Sequence, residues 1–440
     1  MGKSTIENIP FKFSHSLYNM EENYNYLIKY KDVDDKGRYL YWDKFKYRVE
    51  KTDDPKIAWW ATKWARFSKM KFLEYQDKNH KMFTFCIPDS LQAKLYKISK
   101  LSSQGIVPHK DIRRNYLISS LVMEEAISSS QLEGASTTRR VAKEMLSTGR
   151  EPKDEDELMI LNNYLLMQEV KDNKEEELTI DMILYYHKIA TRGNNNNGNI
   201  AGEFRKNNDI VITDGYDVVH EPPCYKKIEE RLNIICEFAN KDHSGEDGTI
   251  FIDPMVKAII LHFMIGYEHP FSDGNGRTAR AIFYWYMIKN GFGYFEYIAI
   301  SKLLKKAPAK YGKSFLYSEI DENDLTYFIF YQVDIIIRAI DELLNYLEEK
   351  SKEFEEITKL LSTSKIGNSL NFIQKDIVKK AIKNPGRIFT SKEIVSDYGN
   401  TANTARKYLN ELVDYKILAP IKNGRSIEYV ALATIRDVLL

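Results

Sequence analysis

Cysteine is nearly absent from this 440-residue sequence, which contains only Cys86, Cys224 and Cys236. Three widely separated thiols exclude a disulfide framework and a structural zinc site, and reduced, intracellular thiols are the expected state. Net charge is missing too. Sixty-four Lys and Arg balance 63 Asp and Glu, leaving +1, so nothing draws the whole chain toward nucleic acid or anionic lipid. Long apolar runs are also lacking. The most apolar stretch, Met255 to Tyr267, is interrupted by Lys257 and His262 and is too short to span a bilayer. Met1 to Ile6 carry no apolar signal core, and Ile6 stands where a myristoylation pattern needs Ser or Thr. A cytoplasmic chain without membrane attachment is expected.

Aromatics are plentiful. With 29 Tyr, 21 Phe and 43% hydrophobic residues, the chain has ample material for a core and is not disordered. Its length suggests roughly three domains at about 150 residues each.

Residues 1–94 read as a mixed accessory segment without assignable chemistry. Tyr39 to Tyr47 suggest short strands, and Asp53-Asp54-Pro55 signals the start of a helix carrying Trp59, Trp60 and Trp64. Residues 95–360 read as mainly helical. One helix, about 111–134, carries Ile112, Leu117, Leu121, Val122 and Ala126 at helical spacing, and Gly134 breaks it. Thr179 caps a further helix, and Asn194 to Asn199 form a loop. Strands at Asp209–Thr213 and Asp217–Val219 make a small hairpin within the helical region. Asp253-Pro254 opens a helix to Tyr267, and another runs to Lys289. Ser362 to Asn368 read as a linker. Residues 366–440 then give helix, short strand, helix, turn, helix and hairpin, a winged helix-turn-helix pattern.

The chemistry is concentrated in His269-Pro270-Phe271-Ser272-Asp273-Gly274-Asn275-Gly276-Arg277-Thr278-Ala279-Arg280. Two glycines flank Asn275 just before a helix, so backbone N–H groups can turn inward as an anion nest. The helix N-terminus adds unpaired N–H groups and its dipole. Arg277 and Arg280 project from the first turn, and two guanidinium groups beside a nest suggest a polyphosphate. Asp273 is then a natural magnesium ligand, and His269 a general base. The parts describe a site that holds a nucleotide triphosphate with a metal and activates a hydroxyl. They do not say which phosphorus is attacked.

This segment closely resembles the signature of the Fic family, His-Pro-Phe-x-Asp/Glu-Gly-Asn-Gly-Arg-x-x-Arg, at every fixed position. Gly202-Glu203-Phe204-Arg205, the hairpin Ile210 to Val219 and Pro222-Pro223 look like the family's approach to its flap. Tyr311 and Asp324 to Tyr331 look like its later helices. The resemblance covers about residues 95 to 345 and implies a Fic helical core with a small β-hairpin flap.

It also implies the roles. His269 would deprotonate a Ser, Thr or Tyr hydroxyl of a target protein, and that oxygen would attack the α-phosphorus of ATP, releasing pyrophosphate. Asp273 would hold Mg2+ (or Mn2+). Gly274, Asn275 and Gly276 would form the anion hole, Arg277 would bind phosphates and Arg280 the γ-phosphate. Tyr311 would line the adenine pocket, although a core tyrosine fits equally well. Val211, Ile212, Thr213 and Val218 belong to a flap that would align the target by strand addition.

Ser129-Ser130-Gln131-Leu132-Glu133-Gly134 resembles the family's inhibitory motif, Ser/Thr-x-x-x-Glu-Gly/Asn. Ser129, Glu133 and Gly134 are thus expected to restrain Arg280, in one chain or across a homodimer, since a carboxylate paired with that arginine denies it to the γ-phosphate. Self-modification is a further expectation.

Residues 366–440 hold 12 Lys/Arg against 7 Asp/Glu. Asn403, Arg406 and Lys407 on the third helix and Arg425 on the hairpin could read a DNA groove, or the module could dock targets or a second copy. His187 and His262 sit among apolar residues and read as structural. His220 reads as an exposed loop histidine. Three functions therefore stand: a self-inhibited protein adenylyltransferase, an enzyme removing AMP from modified proteins, and a nucleotide-sensing DNA-binding regulator. Intact His269 favours the first.

Overall fold

The computed structural model describes residues 6–103, 123–193, 200–214, 217–399, 401–423 and 426–440. Its elements in chain order begin with α1 (Tyr24–Lys29), α2 (Trp42–Phe45), α3 (Pro55–Phe67), β1 (Lys71–Gln76), β2 (Met82–Phe85) and α4 (Asp89–Ser103). Next come α5, helical over 123–132, α6 (Arg139–Thr148), α7 (Glu155–Asp172), α8 (Ile180–Ala190), β3 (Ile212–Asp214), β4 (Asp217–His220) and α9 (Ile228–Asn240). The centre and the last unit comprise α10 (Pro254–Glu268), α11 (Asn275–Lys289), α12 (Ile300–Lys306), α13 (Pro308–Ile320), α14 (Thr326–Thr363), α15 (Lys365–Ser369), α16 (Phe372–Lys383), β5 (Ile388–Phe389), α17 (Ser391–Tyr398), α18 (Ala402–Asp414), β6 (Leu418–Asn423), β7 (Ser426–Ala431) and α19 (Ile435–Leu439). Strands are few and short, so the fold is mainly α.

Contacts divide the chain into two units, Met1–Leu343 and Leu344–Leu440. In the first, α10 and α11 form the central pair. Both are buried nearly all round, from Val256, Ile260 and Phe263 to Phe283 and Trp285, as expected for helices without a solvent face. Asp253 caps α10 by accepting from the Met255 N–H, with Pro254 in the first turn. The Thr179 hydroxyl caps α8 the same way, accepting from Met182 N–H.

The N-terminal residues are built into this unit. The strands expected within Tyr39–Tyr47 are not there. Tyr41 instead stacks on Tyr317 at 4.4 Å and Phe45 packs on Trp59 at 5.1 Å. These rings fill the space between α3 and α13, and no neighbouring segment offers a ladder. The hairpin lies further on, in β1 and β2, where Leu73 and Tyr75 point inward and Phe72 and Glu74 outward. Lys63 pairs with Asp321 at 2.9 Å with both side chains buried, and Arg66 donates to the Tyr327 hydroxyl at 2.7 Å. Breaking such a buried pair from one side costs about 3–5 kcal/mol.

In the second unit, α16, α17 and α18 pack on an antiparallel sheet of order β5-β7-β6. Their core includes Ile377, Val378, Phe389, Leu409, Leu412 and Tyr429. The stretch 362–368, read from sequence as a linker, is helical on both sides of Ser364. Its polar residues lie on helix surfaces, which composition alone does not distinguish from a linker.

Candidate active site

The loop that carries His269 begins where α10 stops. His269 takes a left-handed conformation (φ 44°) as the C-cap, its N–H bonded to the Ile265 carbonyl at 3.1 Å. Such a conformation costs a non-glycine residue of order 1 kcal/mol or more, so its surroundings must hold it. Arg205 does this from one side. Its Nε donates to the His269 carbonyl at 2.9 Å, and its backbone N–H donates to the Pro270 carbonyl at 2.9 Å.

The loop is closed by Asn275, whose side chain both accepts from and donates to the Phe271 backbone, at 2.9 and 2.8 Å. That side chain is fully used in bracing, which leaves the backbone N–H groups as its contribution to an anion site. Gly274 has φ 78°, and a Cβ there would lie 2.6 Å from Thr191 Cγ2, so glycine is required on two counts. No side chain caps the N-terminus of α11.

The two arginines are almost inaccessible. Arg277 donates through Nη1 to the Ala190 carbonyl at 2.5 Å and through Nη2 to Asp273 at 2.8 Å, and its buried Nε has no partner among the described residues. Arg280 donates from Nε and Nη2 to the Ser129 hydroxyl at 2.9 and 2.8 Å and from Nη2 to Glu133 at 2.8 Å, while buried Nη1 has no partner among the described residues. Leaving a buried donor unmet costs about 1–3 kcal/mol, so both arginines keep capacity for an anion.

The Glu133 carboxylate lies against Gly276, at the start of α11. A Cβ added to Gly276 would collide with its carboxylate oxygen and lie 3.0 Å from Arg280 Nη1. The Glu133–Arg280 contact forms within one chain. It is held by α5, which ends at Gly134 (φ 109°) with the Ala135 N–H bonded to the Ser130 carbonyl at 3.0 Å.

His269 is half-buried. Its Nδ1 faces the Gly266 carbonyl at 3.4 Å, and a carbonyl can only accept, so Nδ1 carries the proton and Nε2 keeps its lone pair. Burial, reinforced by the nearby His220 and Arg205, pushes the ring's pKa down to about 4, against the pull of Gly266 and Glu133. The imidazole is therefore neutral near pH 7, as a base must be.

Asp273 is partly exposed at the rim. Among the described residues no group of three or more His, Cys, Asp or Glu could hold a metal. One rim carboxylate suits a hard cation that takes its other oxygens from substrate phosphates and water.

The other histidines have structural partners. His187 stacks on Phe271 at 3.7 Å, donates from Nε2 to the Asp273 carbonyl at 2.9 Å and accepts from the Gly202 N–H at 3.0 Å. His262 pairs with the Tyr311 hydroxyl at 2.8 Å, and Tyr311 also faces Arg280. His220, expected to be exposed, is buried. It lies 2.8 Å from both Glu319 and the Tyr267 carbonyl and ties the hairpin to α10 and α13.

The hairpin β3–β4 carries a register irregularity between Ile212 and Thr213. Val211, Thr213 and Val218 are exposed, and Ile212 is half-buried. In the second unit, Asn403, Arg406 and Lys407 are exposed on α18. Arg425 lies outside the described residues, as do residues 111–122 of the helix expected over 111–134.

The mainly helical fold sets a glycine turn at the start of α11, and this part of the chain has known relatives. Residues 177–287 match the model of the Fic/DOC family. The chain is 33% identical over 135 residues to the protein adenylyltransferase fic-1 of Caenorhabditis elegans, covering 31% of this chain and 23% of that one. It is 26% identical over 221 residues to the protein adenylyltransferase Fic of Nematostella vectensis, covering 46% and 48%. It thus spans under half the length of these curated relatives. Among solved structures, a Fic family protein from Desulfovibrio desulfuricans G20 shares the fold, with a TM-score of 0.51, 15% identity, and coverage of 78% of this chain and 95% of that one. The similarity to the Fic/DOC family is thus carried by the central residues 177–287.

Proposed function

We propose that this chain is a self-inhibited protein adenylyltransferase, moving AMP from ATP to a hydroxyl of a target protein. The observation that carries the reading is one loop and one helix turn. They bring together a neutral His269 whose Nε2 keeps its lone pair, the Gly274–Gly276 backbone, and two buried arginines with donors unmet among the described residues, one of which is held by Glu133. Similarity to proteins named adenylyltransferases gives the reaction its name.

In this mechanism His269 Nε2 takes the proton from the target hydroxyl. The oxygen forms a bond to the α-phosphorus, and the bond from that phosphorus to the bridging oxygen of pyrophosphate breaks. Backbone N–H groups at the start of α11 stabilise the charge that develops on the phosphoryl oxygens, the electrostatic contribution that usually dominates. Arg277 and Arg280 orient the polyphosphate. A magnesium ion held by Asp273 would neutralise phosphate charge. Before this can happen Glu133 must leave Arg280, and the contact is the brake. The exposed edge residues of the flap, Val211, Thr213 and Val218, receive the target backbone. The target's identity and its side chain, automodification, homodimerisation and DNA contact by Asn403, Arg406 and Lys407 belong to this reading as secondary expectations.

The test compares ATP labelled at the α-phosphate with ATP labelled at the γ-phosphate, using the Glu133→Gly chain and magnesium. Label on protein from the α-position alone is expected. Label from the γ-position would mean phosphate transfer. No label, with ATP bound, would favour AMP removal or a nucleotide-sensing regulator.

A further inference from the structure

The hairpin β1–β2 reaches the catalytic loop. Glu268, the residue immediately before His269, is completely buried. Its carboxylate accepts from Arg231 Nε at 2.9 and 2.8 Å and from Arg231 Nη2 at 2.7 Å, and it also accepts from the Tyr75 hydroxyl. Arg231, on α9, lies over the Tyr75 ring at 5.3 Å and donates from Nη2 to the Gln76 carbonyl at 2.7 Å. One residue earlier, the Tyr267 hydroxyl accepts from the Lys78 N–H at 3.1 Å, and the Tyr267 carbonyl accepts from His220.

A buried carboxylate costs several kcal/mol to desolvate, and an apolar residue of similar size would pack here without that cost. What the ionic arrangement adds is direction. A forked guanidinium and a hydroxyl fix the carboxylate's position and plane, and with it the backbone that enters the left-handed turn at His269.

We propose that Glu268, clasped by Arg231 and by Tyr75 of the N-terminal hairpin, is a positioning residue that sets the His269 imidazole for proton transfer, and that this is what residues 71–85 contribute to the reaction. The proposal rests on His269 acting as the base. It predicts an effect on turnover with little effect on nucleotide binding, because none of the three side chains contacts the nest or the arginines at 277 and 280.

The test uses the full chain carrying Glu133→Gly. Tyr75→Phe removes one donor and keeps the ring. Arg231→Lys keeps the charge and loses the fork. Displacing a reacting group by about 1 Å costs up to about 100-fold, so kcat should fall about tenfold in each variant, with KM for ATP within about twofold. Unchanged kcat in both folded variants would overturn the proposal, and so would a raised KM with kcat retained. Should Arg231→Lys fail to fold, Tyr75→Phe alone decides. His269→Ala in the same background separates the two levels. Turnover surviving that change refutes the base. Turnover lost there but kept in Tyr75→Phe refutes only the clasp.

Discussion

Glu133→Gly should switch this chain on, and the size of the effect can be worked from the contact. Arg280 is 2% exposed and Glu133 26%, with 2.8 Å between their atoms. An exposed pair contributes about 0–1 kcal/mol, and breaking a fully buried one costs about 3–5 kcal/mol. This half-buried pair falls between, at about 2–3 kcal/mol. If the γ-phosphate can engage Arg280 only after Glu133 leaves, that energy sets the competent population. At about 1.4 kcal/mol per tenfold, removal should raise the rate about 30- to 150-fold. Ser129 keeps its three bonds to Arg280, two at its hydroxyl and one at its carbonyl, so the arginine stays placed in the variant. The assay is the initial rate of protein labelling from α-labelled ATP at saturating magnesium. A ratio below about threefold, with the variant folded and ATP bound, would refute the brake.

Other consequences follow from the same site. The acid limb of kcat/KM in the Glu133→Gly chain should lie at or below about pH 4, well below the 6.5 of an ordinary histidine, because burial holds His269 neutral and the upward pull of Glu133 is gone; a midpoint near 6.5 would contradict that environment. Gly276→Ala should cost stability mainly by displacing the Glu133 carboxylate, so its loss in Tm should shrink markedly when Glu133→Gly is already present. Buried Glu125 on α5 accepts from the Ser301 hydroxyl and N–H, and burial pushes its pKa up to about 7 from 4.5. The folded chain then holds a proton that the unfolded chain releases, so stability falls as pH rises from about 4.5 through 7, by roughly 3 kcal/mol in all. Urea unfolding should accordingly show Glu125→Gln gaining on the wild-type chain between pH 5 and pH 8, and no such gain would mean that Glu125 is ionised at little cost.

The site was legible where its parts adjoin in sequence. Residues 269–280 could be expected to lie together because the loop and first helical turn that carry them are contiguous. Glu133 was reached through a short motif, and it lies 2.8 Å from Arg280. The supports were not legible. Arg205, His220 and the clasp on Glu268 join residues 37 to 193 positions apart, and no local pattern marks such pairs. Tyr39 to Tyr47 misled because aromatic richness signals burial before it signals a strand: the rings serve helix packing. The strand Lys71–Gln76 alternates in burial, but the exposed Phe72 beside Leu73 hides that alternation in the sequence.

The central claim, that His269 moves a proton while AMP is transferred, is tested most directly by His269→Ala in the Glu133→Gly chain. Label from the α-phosphate and ATP binding should be measured on the same preparation. The account predicts that labelling disappears while ATP affinity stays within a few-fold, since the nest and both arginines remain. Labelling that persists without the imidazole would contradict it.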